Sequence, residues 1–140
     1  MKNKHILFLF VAFASLIPQL AHAQVIVIAN PSIRASTVSK AELSDVFTGS
    51  TSSLRDGSRV SPVLLKGGAD QVAFLNEFIG KSDAAFRAGW RSLVFSGQGA
   101  MPKTIESEAA LVDYIAATPG AIGYIGKATP HDGVKVLAVK

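Results

Sequence analysis

The chain predicts an α/β fold, a mixed sheet flanked by helices in two or three layers. Three observations carry that prediction. Short β-branched runs alternate with helical periodicities along the whole chain, serines or glycines stand at nearly every junction, and no repeat, linker or low-complexity tract interrupts the order.

Residues 1–23 are set apart before the fold is considered. Lys2 and Lys4 form a basic head, residues 6–17 an apolar core short for a bilayer, and Ala21-His22-Ala23 a small-residue cleavage site. This is the pattern of a secretory signal peptide cut before Gln24, and it predicts a periplasmic or secreted protein with no membrane span once the signal is removed. The sequence contains no cysteine, so acylation at a lipoprotein cysteine and disulfide staples are both excluded. Removing 23 of the 140 residues leaves 117, spanning 24–140, a length that suits one domain with one core. Of the 14 basic residues 12 remain against 10 acids, about +2. The arginines at 34, 55, 59, 87 and 91 are scattered and do not cluster with aromatics, so no nucleic-acid surface is expected.

Val25-Ile26-Val27-Ile28 is a continuous run of the kind buried on both faces of a sheet, closed by the loop signal Asn30-Pro31-Ser32. Ser39 stands three residues before Glu42, the spacing of a capping box, and opens a helix to about Phe47 that Gly49 closes. A polar loop with the tight-turn signal Arg55-Asp56-Gly57-Ser58 leads to a strand over residues 60–65, with Pro62 at an edge or early ladder position. The next helix, residues 69–79, places Val72, Leu75, Phe78 and Ile79 on one face and stops at Gly80. Ser82 caps a third helix whose Phe86, Trp90, Leu93 and Val94 recur at helical steps, the spacing of a core face. After a Gly/Pro loop through Pro102, Ser107 caps a fourth helix bearing Leu111, Val112 and Ile115. Residues 121–125 and 134–139 read as strands separated by Pro130-His131-Asp132-Gly133, and the order is β-α-β-α-α-α-β-β. Gly123, a weak strand former, predicts a bulge or a close backbone approach. Tyr114 and Tyr124 are expected half in the core with their hydroxyls at a wet edge.

Catalytic inventories fail early. His5 and His22 leave with the signal, His131 sits alone in a turn, and there is no thiol nucleophile. Asp45, Asp56, Asp70, Asp83, Asp113 and Asp132 occur singly, without metal-loop spacing, and a zinc ligand set cannot be assembled. The expectation is a protein that is not an enzyme and uses no cofactor or metal. The best local ligand contact is Lys66-Gly67-Gly68-Ala69, where backbone amides with little side-chain cover meet a helix start. Against a ligand there, the glycines also serve simply to turn the chain, and Asp70 in the first turn repels an anion.

The segments VSKAELSDVFTGS, VSPVLL, FRAGWRSLVFSGQG and ATPGAIGYI, in this order and spacing, resemble the second lobe of the phosphate-binding proteins of ABC-type phosphate transporters. They are most similar to the short, single-lobe relatives of that family. The sharpest elements are Val46-Phe47-Thr48-Gly49 and the run from Thr118 to Tyr124, and the likeness extends from Val25 to about Lys135. It implies one lobe of a type II periplasmic binding protein, a binding scaffold for phosphate or another small oxyanion. In the family an arginine and a Ser-Gly-Thr loop grip the anion. Those positions fall here on Leu64 and on Gly68, Ala69 and Asp70, so the cation and both hydroxyls are missing. Burying a charge without donors on every side costs several kcal/mol, which implies weak or indirect binding. The other reading is a ligand-free periplasmic interaction module that docks a transporter or other protein partner, and a third is a homodimer that rebuilds a two-lobed cleft.

Overall fold

The computed structural model describes residues 25–140; the expected signal peptide and Gln24 lie outside them. Six strands form one mixed sheet in the order β2-β6-β1-β5-β3-β4. In chain order they are β1 (Val25–Ala29), β2 (Thr37–Val38), β3 (Ser61–Leu65), β4 (Lys103–Ile105), β5 (Ala121–Gly126) and β6 (Lys135–Val139). The helices are α1 (Lys40–Phe47), α2 (Ala69–Phe74), α3 (Asp83–Phe95) and α4 (Glu108–Ala117). β1 runs antiparallel to both neighbours, β5 and β6, whereas β3 runs parallel to β5 and β4.

All eight expected elements are present, each within a residue or two of its expected ends. Two short strands are added, β2 and β4, so the observed order is β-β-α-β-α-α-β-α-β-β. Both pair through parallel ladders, β2 with β6 and β4 with β3, at the two edges of the sheet. Strands of two and three residues are too short to show a periodicity. Pro62 takes the early ladder position, opposite Ile122, on a strand with neighbours on both sides.

The centre of the sheet is β5, buried along its whole length. Successive strand residues point to opposite faces, and β5 sorts its partners accordingly. On one face Gly123 lies under Leu111 and Ile115 of α4. On the other Tyr124 meets Phe47 of α1 and Phe74 of α2, its ring stacked on Phe74 at 4.0 Å and 7° and tilted against Phe47 at 6.1 Å. The sheet therefore separates α4 from α1 and α2. Each fully buried side chain of this size contributes roughly 1.5–3 kcal/mol of hydrophobic stabilisation. Gly123 resolves as a close approach: a β-carbon there would stand 2.7 Å from Ile115 Cδ1 and 3.3 Å from the Val63 carbonyl oxygen. The β1/β5 register runs through it without a bulge.

The caps follow the expected chemistry. Ser39 and Glu42 form the full capping box of α1, and Ser82 and Ser107 accept the Ala85 and Ala110 amides at the starts of α3 and α4. The end of α4 is held by a residue distant in sequence. The buried Asn30 amide donates to the Ile115 and Ala116 carbonyls at 2.8 and 3.1 Å, while its oxygen accepts the Ser32 N–H. That arrangement satisfies carbonyls which Pro119, having no N–H, cannot.

Four expectations are corrected. The helix over residues 69–79 is α only to Phe74 and continues as a π-helical turn, Leu75–Ile79, which turns its face. Val72, before that turn, is 50% exposed, because the buried face of α2 is formed by Gln71, Phe74 and Leu75. Val94 is 42% exposed at the last turn of α3, beyond the packed pair Phe86 and Trp90. Tyr124 is fully buried instead of reaching a wet edge, because its hydroxyl has an internal partner, the Leu65 N–H at 3.1 Å. Burial pushes its phenol well above the usual tyrosine range, so it stays neutral and donates or accepts as a hydroxyl.

Candidate functional site

The candidate residues follow β3 at the edge of the sheet where β3 and β5 both end. The β4 strand fixes the first of them: the Lys66 N–H donates to the Ile105 carbonyl at 2.9 Å. Its own carbonyl accepts Arg87 Nη2 at 3.0 Å, and Arg87 Nε pairs with Asp83 at 2.9 Å within α3. Asp83 also takes the Gln71 side-chain amide at 3.2 Å, so α2, α3 and the loop are tied by one polar chain. Gly67, Gly68 and Ala69 are exposed. Gly68 stands at the helix cap with φ 104°, a conformation that only glycine adopts without strain, and no side chain caps the amides beyond it. In this α2 differs from α1, α3 and α4, each capped by a serine.

The structure brings Lys66, Gly67, Gly68 and Ala69 together as one exposed turn, and places Leu64, at the position of the family's arginine, in the core at 4% exposure. Lys66 does not point a free charge at the turn. Its Nζ pairs with Glu106 at 3.2 Å, both side chains largely exposed, a contact worth about 0–1 kcal/mol.

A carboxyl pair that sequence reasoning missed stands beside this turn. Asp70, in the first turn of α2, and Glu108, in the first turn of α4, converge on Gly126 at the end of β5. A β-carbon on Gly126 would stand 2.7 Å from Asp70 Oδ2 and 3.3 Å from Glu108 Oε1, so only glycine leaves them room. Glu108 accepts the Gly126 N–H through Oε1 and the Thr129 hydroxyl through Oε2 at 2.9 Å. Burial acts to raise its pKa, but those two donors and the proton of Asp70 outweigh it, and Glu108 lies below its ordinary value. The Asp70 carboxyl moves the other way, raised first by hydrogen bonding to Glu108, then by burial and by the Glu108 charge. As pH falls the pair takes up its first proton on Asp70, shared with Glu108. The only hint of Glu108 in the sequence is a glutamate directly after the helix-capping Ser107; its meeting with Asp70 is set by the sheet.

Such a site can do limited chemistry. Exposed glycine amides at an uncapped start can donate to an oxyanion, while three carboxyl groups nearby, at Asp70, Glu106 and Glu108, lower the local potential. Among the described residues no group of three or more His, Cys, Asp and Glu side chains is placed to hold a metal ion. No helix among them is long and apolar enough to cross a membrane.

No family model matches the chain, and no curated protein matches it. Solved structures do. An ABC-type phosphate transport receptor from Vibrio cholerae superposes with a TM-score of 0.62 at 10% identity, over 83% of this chain and 46% of the receptor. A Clostridium perfringens structure, described as a phosphate ABC transporter substrate-binding protein with bound phosphate, gives 0.62 at 14% identity, over 83% of this chain and 44% of its own. PstS from Borrelia burgdorferi gives 0.60 at 18% identity, over 84% and 47%. The chain spans less than half the length of each of these proteins. Their shared feature with it is the fold, that of a single lobe of a periplasmic binding protein, as the sequence resemblance implied.

Proposed function

We propose that the chain is a periplasmic, solute-binding-protein-like lobe of the phosphate ABC transporter type, which contacts phosphate or a similar small oxyanion weakly through Lys66, Gly67, Gly68 and Ala69. The observation that carries this reading is the superposition of over four-fifths of the chain on phosphate transport receptors. The uncapped, exposed start of α2 at the edge of the sheet supplies the amide donors.

Three features make the contact weak. The arginine position is a buried leucine, Lys66 is engaged by Glu106, and the Asp70–Glu108 pair retains a negative charge beside the turn. A flexible ammonium also lacks the bidentate fork of a guanidinium. The likeness to receptors, together with a mature chain holding His131 as its one imidazole, supports a binding role without catalysis. Isothermal titration of the chain from Gln24 with phosphate and sulfate tests the reading. Saturable heat in the millimolar range that falls further in Lys66→Ala supports it.

A second reading has one observation in its favour. Phe95, at the end of α3, is 96% exposed, and its neighbour in sequence Val94 is 42% exposed. An aromatic ring left in water next to an exposed valine suits a protein contact. In that reading the chain docks a transporter component or other periplasmic protein, or a second copy of itself, through this corner. Light scattering separates the homodimer from the monomer, and recovery of a stoichiometric partner indifferent to phosphate separates docking from ligand binding.

A further inference from the structure

The opposite edge of the sheet, where β1 ends and β3 and β5 begin, holds a cleft of about 480 Å³ lined by Ser32, Arg34, Ser58, Arg59 and the backbone of Gly57 and Gly120. We propose that this cleft is a second binding site, for a small oxyanion gripped between the guanidinium groups of Arg34 and Arg59. It lies at the far end of the strands from Lys66 and does not depend on the site proposed above.

Charge is the first argument. The ion pairs among the described residues are Lys66 with Glu106 and Arg87 with Asp83, so both cleft arginines lack a carboxylate partner there. A third cation stands at the rim, since the Lys135 ammonium is anchored by the Ile33 and Arg34 carbonyls, each at 3.1 Å. The one carboxylate, Asp56, is already occupied. It accepts the Ser58 N–H at 2.8 Å and is held below its ordinary range first by the Ser58 amide and hydroxyl and then by the charges of Arg34 and Lys135. Three cations facing one carboxylate leave a net positive cleft.

Preorganisation is the second. The Ser32 hydroxyl accepts the Gly120 N–H at 3.0 Å, which fixes its oxygen and leaves its proton free to donate into the cleft. Ser32 itself is set by the Asn30 side chain, which also holds the end of α4. At Gly57, with φ 86°, a β-carbon would meet nothing within 4 Å, so the turn leaves the cleft open. Guanidinium forks match carboxylate and phosphate oxygens in pairs. The volume of about 480 Å³ lies within the range of small-ligand sites.

Amide chemical shifts during titration of the chain from Gln24 with inorganic phosphate, and separately with succinate, test the proposal residue by residue. The expected result is saturable movement of the Gly57, Ser58 and Gly120 amides with at least one probe, weakened tenfold or more in Arg34→Gln/Arg59→Gln; which probe acts tells phosphate from carboxylate. Both arginines are exposed, and unchanged peaks elsewhere in the variant report an intact fold. Saturable cleft shifts that persist in the double variant overturn the proposal. Shifts confined to Gly67, Gly68 and Ala69 overturn it while upholding the α2 site, and the absence of saturable shifts anywhere overturns both.

Discussion

The hydroxyl of Tyr124 accepts the backbone N–H of Leu65 at 3.1 Å, inside the core, just where the paired ladder of β3 and β5 has ended. β3 and β5 are paired at Ser61 with Ala121 and Pro62 with Ile122, and a side chain from one strand then serves the backbone of the other. Tyr124→Phe leaves that N–H buried and unpaired, at a cost of about 1–3 kcal/mol. Tyr124→Ala also removes the ring stacked on Phe74, and the loss should reach about 3–5 kcal/mol. Chemical denaturation of the two variants checks the order and the size.

Gly49 closes α1 with φ 82°, and a β-carbon there would stand 2.8 Å from both Leu93 Cδ1 and Trp90 Cη2. Trp90 cannot easily move, because its Nε1 donates to the Phe47 carbonyl at 2.8 Å. Gly49→Ala combines a left-handed backbone with overpacking, and should cost about 2–4 kcal/mol. The same denaturation experiment applies, and a variant as stable as the parent would mean that α3 does not pack on this turn.

Gly49 and Tyr124 also mark how far the sequence could be read. The glycine and the serine caps are local signals, and each stands where local chemistry placed it. What the sequence hid was long-range or short-lived. β2 and β4 have two and three residues, the π turn at Leu75 shifts a helical face without any change in composition, and the partner that buries Tyr124 comes from another strand. At the candidate site the turn itself was legible from its glycines. The convergence of Asp70 and Glu108 on Gly126 was not, because it depends on the order of strands in the sheet.

That carboxyl pair gives the fold a pH dependence whose sign follows from the two shifts. Asp70 is raised above its ordinary value of 3.8, so its contribution is full below that value and is lost as pH rises through the raised one. Glu108 is lowered from 4.5, so its contribution is present above 4.5 and is lost as pH falls through the lowered value. Asp70→Asn, which mimics the protonated carboxyl, should therefore remove the loss on the alkaline side and leave the acid side in place. Thermal melting from acid to mildly alkaline pH checks it; parallel curves for parent and variant would contradict a shared proton.

The same substitution bears on ligand. Above the raised pKa of Asp70, where its carboxyl is ionised, removing that negative charge near the start of α2 should tighten phosphate contact by about fivefold, the equivalent of ~1 kcal/mol for unit charges 4 Å apart in water. Titration of Asp70→Asn beside the parent shows it, and the gain should shrink as salt is raised.

The most direct test of the binding role is isothermal titration of the chain from Gln24 with phosphate. Weak saturable heat at millimolar ligand, reduced in Lys66→Ala and increased in Asp70→Asn, is the predicted result. No heat and no thermal shift with millimolar phosphate or sulfate would contradict it, and would leave a receptor-like lobe without the ligand.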